Sequence, residues 1–433
     1  MRSRRPSWFL VTATFASSLT LVFACRGGST STSSQASGPA EVGGNDASRS
    51  GSGGANGNNP NSNASATNGP NGTEGDAALP SRDPGPPAVR FIGRFDTREA
   101  AGPICGWPGC RIIANFRGTG VQARLEDRAE SWMQGGPSEY DVIVDGVLQP
   151  KLVLALGAHD YPLASGLADG PHRIELYRRS ETQTGYTQFL GYDFAGGTLL
   201  PPPLPALRRI EVVGDSQPAG FGIDGVGTDC PGPDWAAKYE NFHKSLSARL
   251  GELLDADLNG TAYSGKGFVR NIARTDTETM PVLYPRTNPI DATSVWDFSR
   301  FVPDVIVVMM GGNDFAIGQY VDAGPLPLVE FTAAVRGLVA TFRTHSPQAH
   351  VFLALSPSVT DGPTSTHGRT NVKSAFDTVA SERAAAGDAR VYSVAPPVAA
   401  ESELTGCAGH GNAAYHERVA QQLATMVKAQ TGW

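Results

Sequence analysis

The stretch RRIEVVGDSQPAGFGI, residues 208–223, decides how the second half of the chain folds. Its run IEVV has the length of a strand buried in a parallel sheet, and Gly214-Asp215-Ser216 follows at once. A serine in this position can project its hydroxyl over the sheet edge, beside helix amides that favour negative charge. The same residues are also typical of a serine that caps the next helix or turn, so both interpretations stay open. The Gly-x-Ser-x-Gly elbow of the α/β-hydrolases is absent here.

Strand-like runs and amphipathic helical segments alternate through residues 201–433. This alternation predicts an α/β fold in which a parallel sheet is covered by helices on both faces. In such sheets, functional sites form at the carboxyl ends of the strands. The predicted strands are RIEVVG, DVIVVMM, HVFLALS and RVYSVA, and the predicted helices are residues 234–254, 328–346, 371–387 and 412–430.

Residues 87–200 have the pattern of a separate β domain. Short apolar runs such as RIIANF, YDVIVDG, KLVLAL and HRIELYRR are separated by turn residues such as Asp145-Gly146 and Asp169-Gly170. No helical period is long enough to compete, so we expect a small antiparallel sandwich. The proline-rich stretch LLPPPLPALR then predicts a stiff linker to the second domain.

The first 86 residues carry a targeting signal and a tether. Residues 1–25 have a basic start, an apolar run and a small-residue boundary, which is the pattern of a secretory signal peptide. Cys25 directly follows that boundary, as in a bacterial lipoprotein whose cysteine receives the lipid. Residues 26–86 are rich in Gly, Ser and Asn and lack large apolar side chains, so we expect a disordered tether. The signal predicts an exported, membrane-anchored protein, periplasmic or at the cell surface.

Charge and cysteine content exclude several classes of protein. The net charge is −7 and no basic stripe runs along the chain, so nothing favours nucleic acid as a partner. In an exported chain the four remaining cysteines favour disulfides, which we expect between Cys105 and Cys110 and between Cys230 and Cys407. Neither neighbouring histidines nor the short repeat spacing of a zinc site accompanies them, so we expect no metal.

Three further residues stand where the predicted fold could bring them beside Ser216. Asn313 follows the run DVIVVMM in the sequence GGNDF, where a neutral amide is either an oxyanion donor or part of an Asx turn. Gly265 lies in LNGTAYSGKGFVRN, whose glycines allow the backbone amide to approach a substrate closely. His410 lies between glycines just before the last predicted helix, whereas His416 inside that helix is expected to be structural.

The order Gly-Asp-Ser, Gly, Gly-x-Asn-Asp and a C-terminal His resembles the SGNH (GDSL-like) hydrolase superfamily. The β-rich region is similar to the N-terminal jelly roll of carbohydrate esterase family 2, and the resemblance covers roughly residues 89–433. It implies Ser216 as nucleophile, Gly265 and Asn313 as oxyanion donors beside the Ser216 amide, and His410 as general base. It is carried by the stretches CGWPGCRIIANFRGTGVQARL, VIVDG, GPHRIELYRRSETQTGYTQFLGYDF, NGTAYSGKGFVRN and TGCAGHGNAAYHERVA.

One position departs from the common SGNH pattern. Many of those enzymes carry an aspartate three residues before the histidine, and here that residue is Cys407. Some family 2 members use a Ser-His dyad in which a backbone carbonyl orients the imidazole, and we expect the same here. A distant acid such as Asp361 or Glu403 would be the alternative source of a carboxylate.

The resemblance implies an exported esterase that removes O-acetyl groups from an acetylated polysaccharide or oligosaccharide without a cofactor. Trp235, Trp296 and Tyr263 lie near the motifs and could stack on a sugar ring, although core packing is an equally good interpretation of each. The alternatives are a glycan-binding lipoprotein with little or no catalytic activity, which the missing acid favours, and a general acyl or lipid esterase.

Overall fold

The computed structural model describes residues 85–133, 135–232, 236–317, 324–362 and 365–433. The expected signal peptide, Cys25 and nearly all of the expected tether lie outside these residues. Within the described part of the chain, no helix combines the length and the apolar character needed to cross a membrane.

The first domain is built on one antiparallel sheet of nine strands. Its centre is the pair β3 and β7, and the sheet bends where the register shifts: Gly118 lies opposite Gly170, but Gly120 lies opposite Ser165. The antiparallel β domain expected from the sequence is therefore present, while its jelly-roll connectivity stays a prediction. The strands are β1 (Arg90–Ile92), β2 (Ile104–Cys105), β3 (Arg111–Arg128), β4 (Glu139–Val144), β5 (Val147–Leu148), β6 (Leu152–Val153), β7 (Gly157–Arg178), β8 (Tyr186–Asp193) and β9 (Thr198–Leu199).

The two predicted turns of this domain have different outcomes. Asp145-Gly146 joins β4 to β5 as a two-residue hairpin loop, with φ of 51° and 79°, the positive values that a type I′ turn requires. The turn predicted at Asp169-Gly170 was wrong, because β7 continues through both residues. The register between β3 and β7 shifts between Gly118 and Gly120, and the extra residues of β7 form an irregularity within that strand.

The second domain contains a parallel sheet of five strands, in the order β11-β10-β12-β13-β14. Alternate residues of β10 face opposite cores: Val212 packs in a cluster with the residues of one helix pair, and Val213 packs with the other. The predicted α/β fold with helices on both faces is confirmed. The strands are β10 (Arg208–Gly214), β11 (Ala256–Ala262), β12 (Val305–Met309), β13 (His350–Ala354) and β14 (Val391–Val394). The helices are α1 (Ser216–Ala219), α2 (Leu246–Leu253), α3 (Met280–Leu283), α4 (Gly312–Phe315), α5 (Leu328–His345), α6 (Gly368–Ala385) and α7 (Ala413–Thr431).

The helix predicted over residues 234–254 was wrong for most of its length, because only α2 at its end is an α-helix. The described amides before α2 either close short 3₁₀ turns or bond to other loops: Asn241 N donates to Gly220 O at 3.0 Å, and Phe242 N donates to Arg179 O at 2.9 Å. The Ser245 hydroxyl then caps α2 by accepting from Ala248 N. Tertiary hydrogen bonds therefore override the helical pattern here.

His416 lies fully buried in α7, in the structural role expected of it. Its Nδ1 accepts a hydrogen bond from Leu246 N at 3.0 Å, so the imidazole supports the start of α2. Burial, with a smaller contribution from His410, lowers the pKa of His416 to about 3. A proton on this ring would displace the Leu246 amide, which explains why the neutral form is favoured.

We predict that His416 makes the protein sensitive to acid. The unfolded ring takes up a proton near its ordinary pKa of 6.5, whereas the folded ring resists protonation down to about 3. The free energy of unfolding should therefore fall by about 1.4 kcal/mol per pH unit from this group as pH drops through that window. His416→Asn, which keeps an acceptor for Leu246 N, should flatten this slope in chemical denaturation. His159→Asn, at an exposed position, should leave the slope unchanged.

Candidate active site

The candidate site lies at the carboxyl ends of three neighbouring strands. Gly214 at the end of β10 is in register with Ala262 of β11 and with Met309 of β12. Tyr263 N donates to Gly214 O at 3.0 Å, so the ladder continues one residue beyond β11. The loops that carry Ser216, Gly265 and Asn313 therefore leave the sheet side by side.

Asp215, and not Ser216, caps the short helix α1. The Asp215 carboxylate accepts from Gln217 N at 3.3 Å, which answers the question that the Gly-Asp-Ser pattern leaves open. A side chain at Gly214 would meet the Met309 carbonyl oxygen at 2.6 Å, so only glycine allows this close approach to β12. The Ser216 hydroxyl takes no part in this cap and lies beside His410.

Ser216 and His410 are brought together although 194 positions separate them. Ser216 Oγ lies 2.8 Å from His410 Nε2, and His410 Nδ1 lies 2.9 Å from the backbone oxygen of Cys407. A carbonyl oxygen can only accept, so Nδ1 carries the proton of the neutral ring and Nε2 accepts from the serine hydroxyl. This is the tautomer that a general base needs.

The loop that carries Cys407 is held by the segment that follows α1. Cys407 N donates to Gly222 O at 3.1 Å and Ala408 N donates to Thr228 O at 2.9 Å, which ties the loop to the segment after α1. The Cys230–Cys407 disulfide joins the same two segments, and Cys105–Cys110 is the second disulfide of the described residues, as the sequence predicted. Two hydrogen bonds and a disulfide therefore fix the loop before His410 to this segment.

The two distant acids considered as partners for His410 bond elsewhere. The Asp361 carboxylate accepts from the amide and the hydroxyl of Thr370, and the Glu403 carboxylate pairs with Arg418. His410 Nδ1 instead has the Cys407 carbonyl at hydrogen-bonding distance. The geometry agrees with the backbone carbonyl that the sequence analysis expected in place of a carboxylate.

Asn313 and Gly265 are linked through the residue after the glycine. Asn313 Nδ2 donates to Lys266 O at 2.9 Å, so the amide braces the Gly265 loop and does not close an Asx turn. The next residue, Asp314, accepts from the backbone amides of Phe268, Val269 and Arg270, which orders the rest of the loop.

Two buried carboxyl groups stand directly beside the predicted catalytic residues. Burial raises the pKa of Asp215 to about 7, and the nearby Asp314 contributes in the same direction. Burial also raises the pKa of Asp314 to about 6, although three backbone hydrogen bonds act against it. The carboxyl ends of these strands are consequently little solvated, which strengthens hydrogen bonds formed there.

The aromatic residues singled out in the sequence differ in their surroundings. Trp296 is buried against the guanidinium groups of Arg94 and Arg300, so it belongs to the core. Tyr263 lines a cleft of about 510 Å³ whose lining also includes Lys266, the residue after Gly265, and Trp235 lies outside the described residues. Sequence reasoning missed Trp132, which lines the same cleft from the first domain and is 53% exposed. A tryptophan in a polar loop was the available signal.

Three acidic side chains, Glu130, Asp276 and Glu278, are part of the lining of this cleft, but they do not form a metal site. Among the residues that the structure describes, no group of three or more His, Cys, Asp or Glu side chains is arranged to hold a metal ion. The cleft is lined by Glu130, Trp132, Tyr263, Lys266, Asp276, Glu278, Leu283, Pro289 and Ile290.

Comparison with known protein families matches both domains. Residues 91–203 match the family described as carbohydrate esterase 2 N-terminal, and residues 212–418 match the GDSL-like lipase/acylhydrolase family. The second match agrees with the parallel sheet and the serine and histidine at its carboxyl edge. The α/β domain is thus that of a GDSL-like hydrolase.

Individual relatives indicate which GDSL-like hydrolases the chain resembles. The chain is 32% identical over 358 residues to the cellulase/esterase CelE of Acetivibrio thermocellus, a match that covers 83% of this chain and 41% of the relative. It is 28% identical over 234 residues to an acetylxylan esterase/glucomannan deacetylase of Cellvibrio japonicus, covering 54% of this chain and 63% of the relative. The chain thus spans less than two thirds of either curated protein.

A solved structure covers both domains at once. It is a family two carbohydrate esterase from Clostridium thermocellum in complex with cellohexaose, with a TM-score of 0.72 and 31% sequence identity. The alignment covers 80% of this chain and 100% of that structure. The chain therefore belongs to carbohydrate esterase family 2.

We predict that Gly265→Ala damages the site. Gly265 has a φ of +79°, and a Cβ there would meet Ile272 Cγ2 at 2.8 Å, so the loop must shift. If the Gly265 amide is the oxyanion donor that the family resemblance implies, the kcat for ester hydrolysis should fall at least about tenfold, because an amide displaced by a few tenths of an ångström would no longer meet the reacting oxygen. Gly146→Ala, with the same φ of +79° and no neighbour within 4 Å, is the matched control. An equal loss of activity in Gly265→Ala and Gly146→Ala would contradict the predicted role of the Gly265 amide.

Proposed function

We propose that the chain is an exported serine esterase that removes O-acetyl groups from carbohydrates through a Ser-His dyad. The observation that carries the proposal is the chain of contacts from Ser216 Oγ to His410 Nε2 at 2.8 Å and from His410 Nδ1 to Cys407 O at 2.9 Å. It contains a nucleophile, a base and a group that orients the base.

In the first half of the reaction, Ser216 Oγ attacks the acetyl carbonyl carbon while His410 Nε2 takes the hydroxyl proton. The imidazolium that forms keeps its Nδ1–H on the Cys407 carbonyl, whose partial negative charge stabilises it. The tetrahedral intermediate then collapses, its C–O bond to the sugar breaks, and His410 returns the proton to the sugar oxygen. The products are the free sugar hydroxyl and an acetyl-serine.

In the second half, water attacks the acetyl-serine while His410 takes one of its protons. Collapse of the second tetrahedral intermediate releases acetate, and the imidazolium returns its proton to Ser216 Oγ. Water is thus the only co-reactant, and the enzyme ends in its starting state.

The oxyanion of both intermediates is stabilised by the Ser216 and Gly265 amides and by Asn313 Nδ2. A primary amide nitrogen carries two hydrogens. One of those on Asn313 bonds Lys266 O, which leaves the second for the substrate oxygen. Donors held before the substrate arrives need no reorganisation during the reaction, which is the main source of their effect.

A carbohydrate substrate is supported by the relatives and by the cleft. One solved relative is described in complex with cellohexaose, and another relative is described as deacetylating glucomannan. The cleft beside Gly265 presents the half-exposed ring of Trp132 among acidic side chains. An aromatic face with surrounding hydrogen-bonding groups suits a sugar ring, which has both apolar and polar surfaces.

We also propose that the protein is exported and anchored through a lipid on Cys25, with residues 26–86 as a tether. Two disulfides support an oxidising compartment, because structural disulfides are rare in the reducing cytosol. A long polar tether would let the esterase reach a polymer at some distance from the membrane.

We predict that Ser216→Ala and His410→Ala each lower kcat for acetate release by at least about 10³-fold. Asn313→Ala should cost about 10²-fold or more, as expected for one oxyanion donor. The test measures acetate released by the full chain from 4-nitrophenyl acetate and from acetylated xylan and glucomannan. Asp361→Asn and Glu403→Gln are the controls and should retain activity. Full activity in Ser216→Ala, or no turnover by the folded wild type, would overturn the proposal, and the second outcome would favour a glycan-binding protein.

We predict a separate effect for Trp132→Ala. Because Trp132 lies in the cleft and not at the catalytic pair, the variant should raise KM for acetylated polysaccharide about tenfold and leave hydrolysis of 4-nitrophenyl acetate unchanged. Trp132→Phe keeps an aromatic face, so its KM for acetylated polysaccharide should lie between those of the wild type and Trp132→Ala. An equal change on both substrates would exclude a role in binding sugar.

A further inference from the structure

A buried carboxyl group of the first domain reaches into the loop that carries Gly265. Glu181 follows β7, and its side chain is fully buried. Its Oε2 accepts from Ser264 N at 2.6 Å, and its Oε1 is hydrogen-bonded to the Ser264 hydroxyl. Both hydrogen-bond donors of Ser264, the residue directly before Gly265, therefore bond one side chain of the other domain.

Glu181 is itself rigidly held. Its backbone N–H donates to the carboxylate of Glu240 at 2.6 Å, and Glu240 is also fully buried. Its backbone oxygen accepts from Arg178 Nη2 at 3.2 Å and from the Thr184 hydroxyl at 2.8 Å. The carboxyl group thus stands on a backbone that is bonded on both sides.

This arrangement is unfavourable for stability alone. Burial and the neighbouring Glu240 raise the pKa of Glu181 well above its usual range, and burial raises the pKa of Glu240 to about 7. Taking two carboxyl groups out of water costs free energy that a pair of apolar side chains would not cost. A role in the site accounts for the arrangement.

The turn that follows explains what Glu181 controls. Lys266 N donates to Tyr263 O at 3.3 Å, which closes a β-turn with Ser264 and Gly265 at its centre. Gly265 has a φ of +79° and Ser264 a negative φ, as in a type II turn. The central peptide of that turn carries the Gly265 N–H, and its direction is set by how Ser264 is held.

We propose that Glu181 is a positioning residue for the oxyanion hole. By binding both the N–H and the O–H of Ser264, it fixes the peptide plane in which the Gly265 amide points at the substrate oxygen. The inference rests on the proposed function and extends it, because it gives the first domain a part in the reaction. Asn313 braces the other end of the turn through Lys266 O, so the peptide is held before and after Gly265.

The test compares four variants of the full chain in hydrolysis of 4-nitrophenyl acetate. Glu181→Ala and Glu181→Asp should lower kcat about tenfold to a hundredfold with KM nearly unchanged, since alanine has no acceptor and aspartate is too short to reach Ser264. Glu181→Gln should stay within about threefold of wild type, because its amide can accept from Ser264 N and donate to Ser264 Oγ. Ser264→Ala keeps the N–H contact but loses the hydroxyl, so its kcat should lie between those of Glu181→Gln and Glu181→Ala.

A matched control separates positioning from loss of stability. Asp141 is a buried carboxylate of the first domain, and within the described residues its hydrogen bonds and ion pairs go to Arg179 and His243 and not to the Gly265 loop. Asp141→Ala should lower the Tm at least as much as Glu181→Ala while leaving kcat within about threefold. Affinity for methylboronic acid, whose serine adduct places an oxygen in the oxyanion hole, should fall in Glu181→Ala, Glu181→Asp and Ser264→Ala, and should stay near the wild-type value in Glu181→Gln and Asp141→Ala.

Each result bears on one of the two proposals. If Ser216→Ala abolishes turnover while Glu181→Ala and Glu181→Asp keep the wild-type kcat and boronic acid affinity, the positioning role is overturned and the esterase assignment stands. If Ser216→Ala is fully active, the assignment itself fails. Should Glu181→Ala not fold, Glu181→Asp and Ser264→Ala decide the question by the same readouts.

Discussion

The structure depends on one buried ion pair, between Arg94 of the first domain and Glu211 in β10, the strand of the second domain that leads to Ser216. Arg94 Nη2 lies 2.8 Å from the Glu211 carboxylate, and both side chains are almost completely buried. The carboxylate also accepts from Tyr284, Asn259 and Thr261, so its lone pairs are satisfied. Removing one partner of such a pair would leave an uncompensated charge in the core, at a cost of about 3–5 kcal/mol.

This pair joins the two domains on the strand that carries the site. Four aromatic rings surround the Arg94 guanidinium, which replaces part of its lost hydration by cation–π contacts. Glu211 lies five positions before Ser216, so the domain contact is made on the strand that leads directly to the predicted nucleophile. The Glu181–Ser264 contact also joins the two domains, at the loop that follows the neighbouring strand β11. A site built across two domains keeps its geometry only if the contact between them is fixed, and buried polar pairs supply the directionality that apolar packing lacks.

The histidine loop replaces a missing acid by a fixed backbone. A carbonyl oxygen bears only a partial charge, so it stabilises an imidazolium less than a carboxylate would, and its orientation matters more. Here two backbone hydrogen bonds and a disulfide hold Cys407. A cysteine at the position where many related enzymes have aspartate thus still contributes to the orientation of His410, through its main chain.

From the sequence alone, the parallel α/β domain and the antiparallel β domain could be predicted, because apolar periodicity and turn residues act locally. The resemblance of the motifs indicated the family. The short loop CGWPGC indicated the Cys105–Cys110 disulfide, which left Cys230 and Cys407 as the second pair. Helices α5, α6 and α7 followed from their patterns, whereas most of the helix expected over residues 234–254 is absent, since its amides bond to distant loops. The apolar appearance of IEVV concealed that Glu211 is an ionic contact between domains. Only the tertiary structure decided that Asp215 caps α1, that Ser216 Oγ meets His410 Nε2, and that Glu181 holds Ser264. Each of these contacts joins residues whose proximity depends on how whole elements pack, and no local pattern encodes that packing.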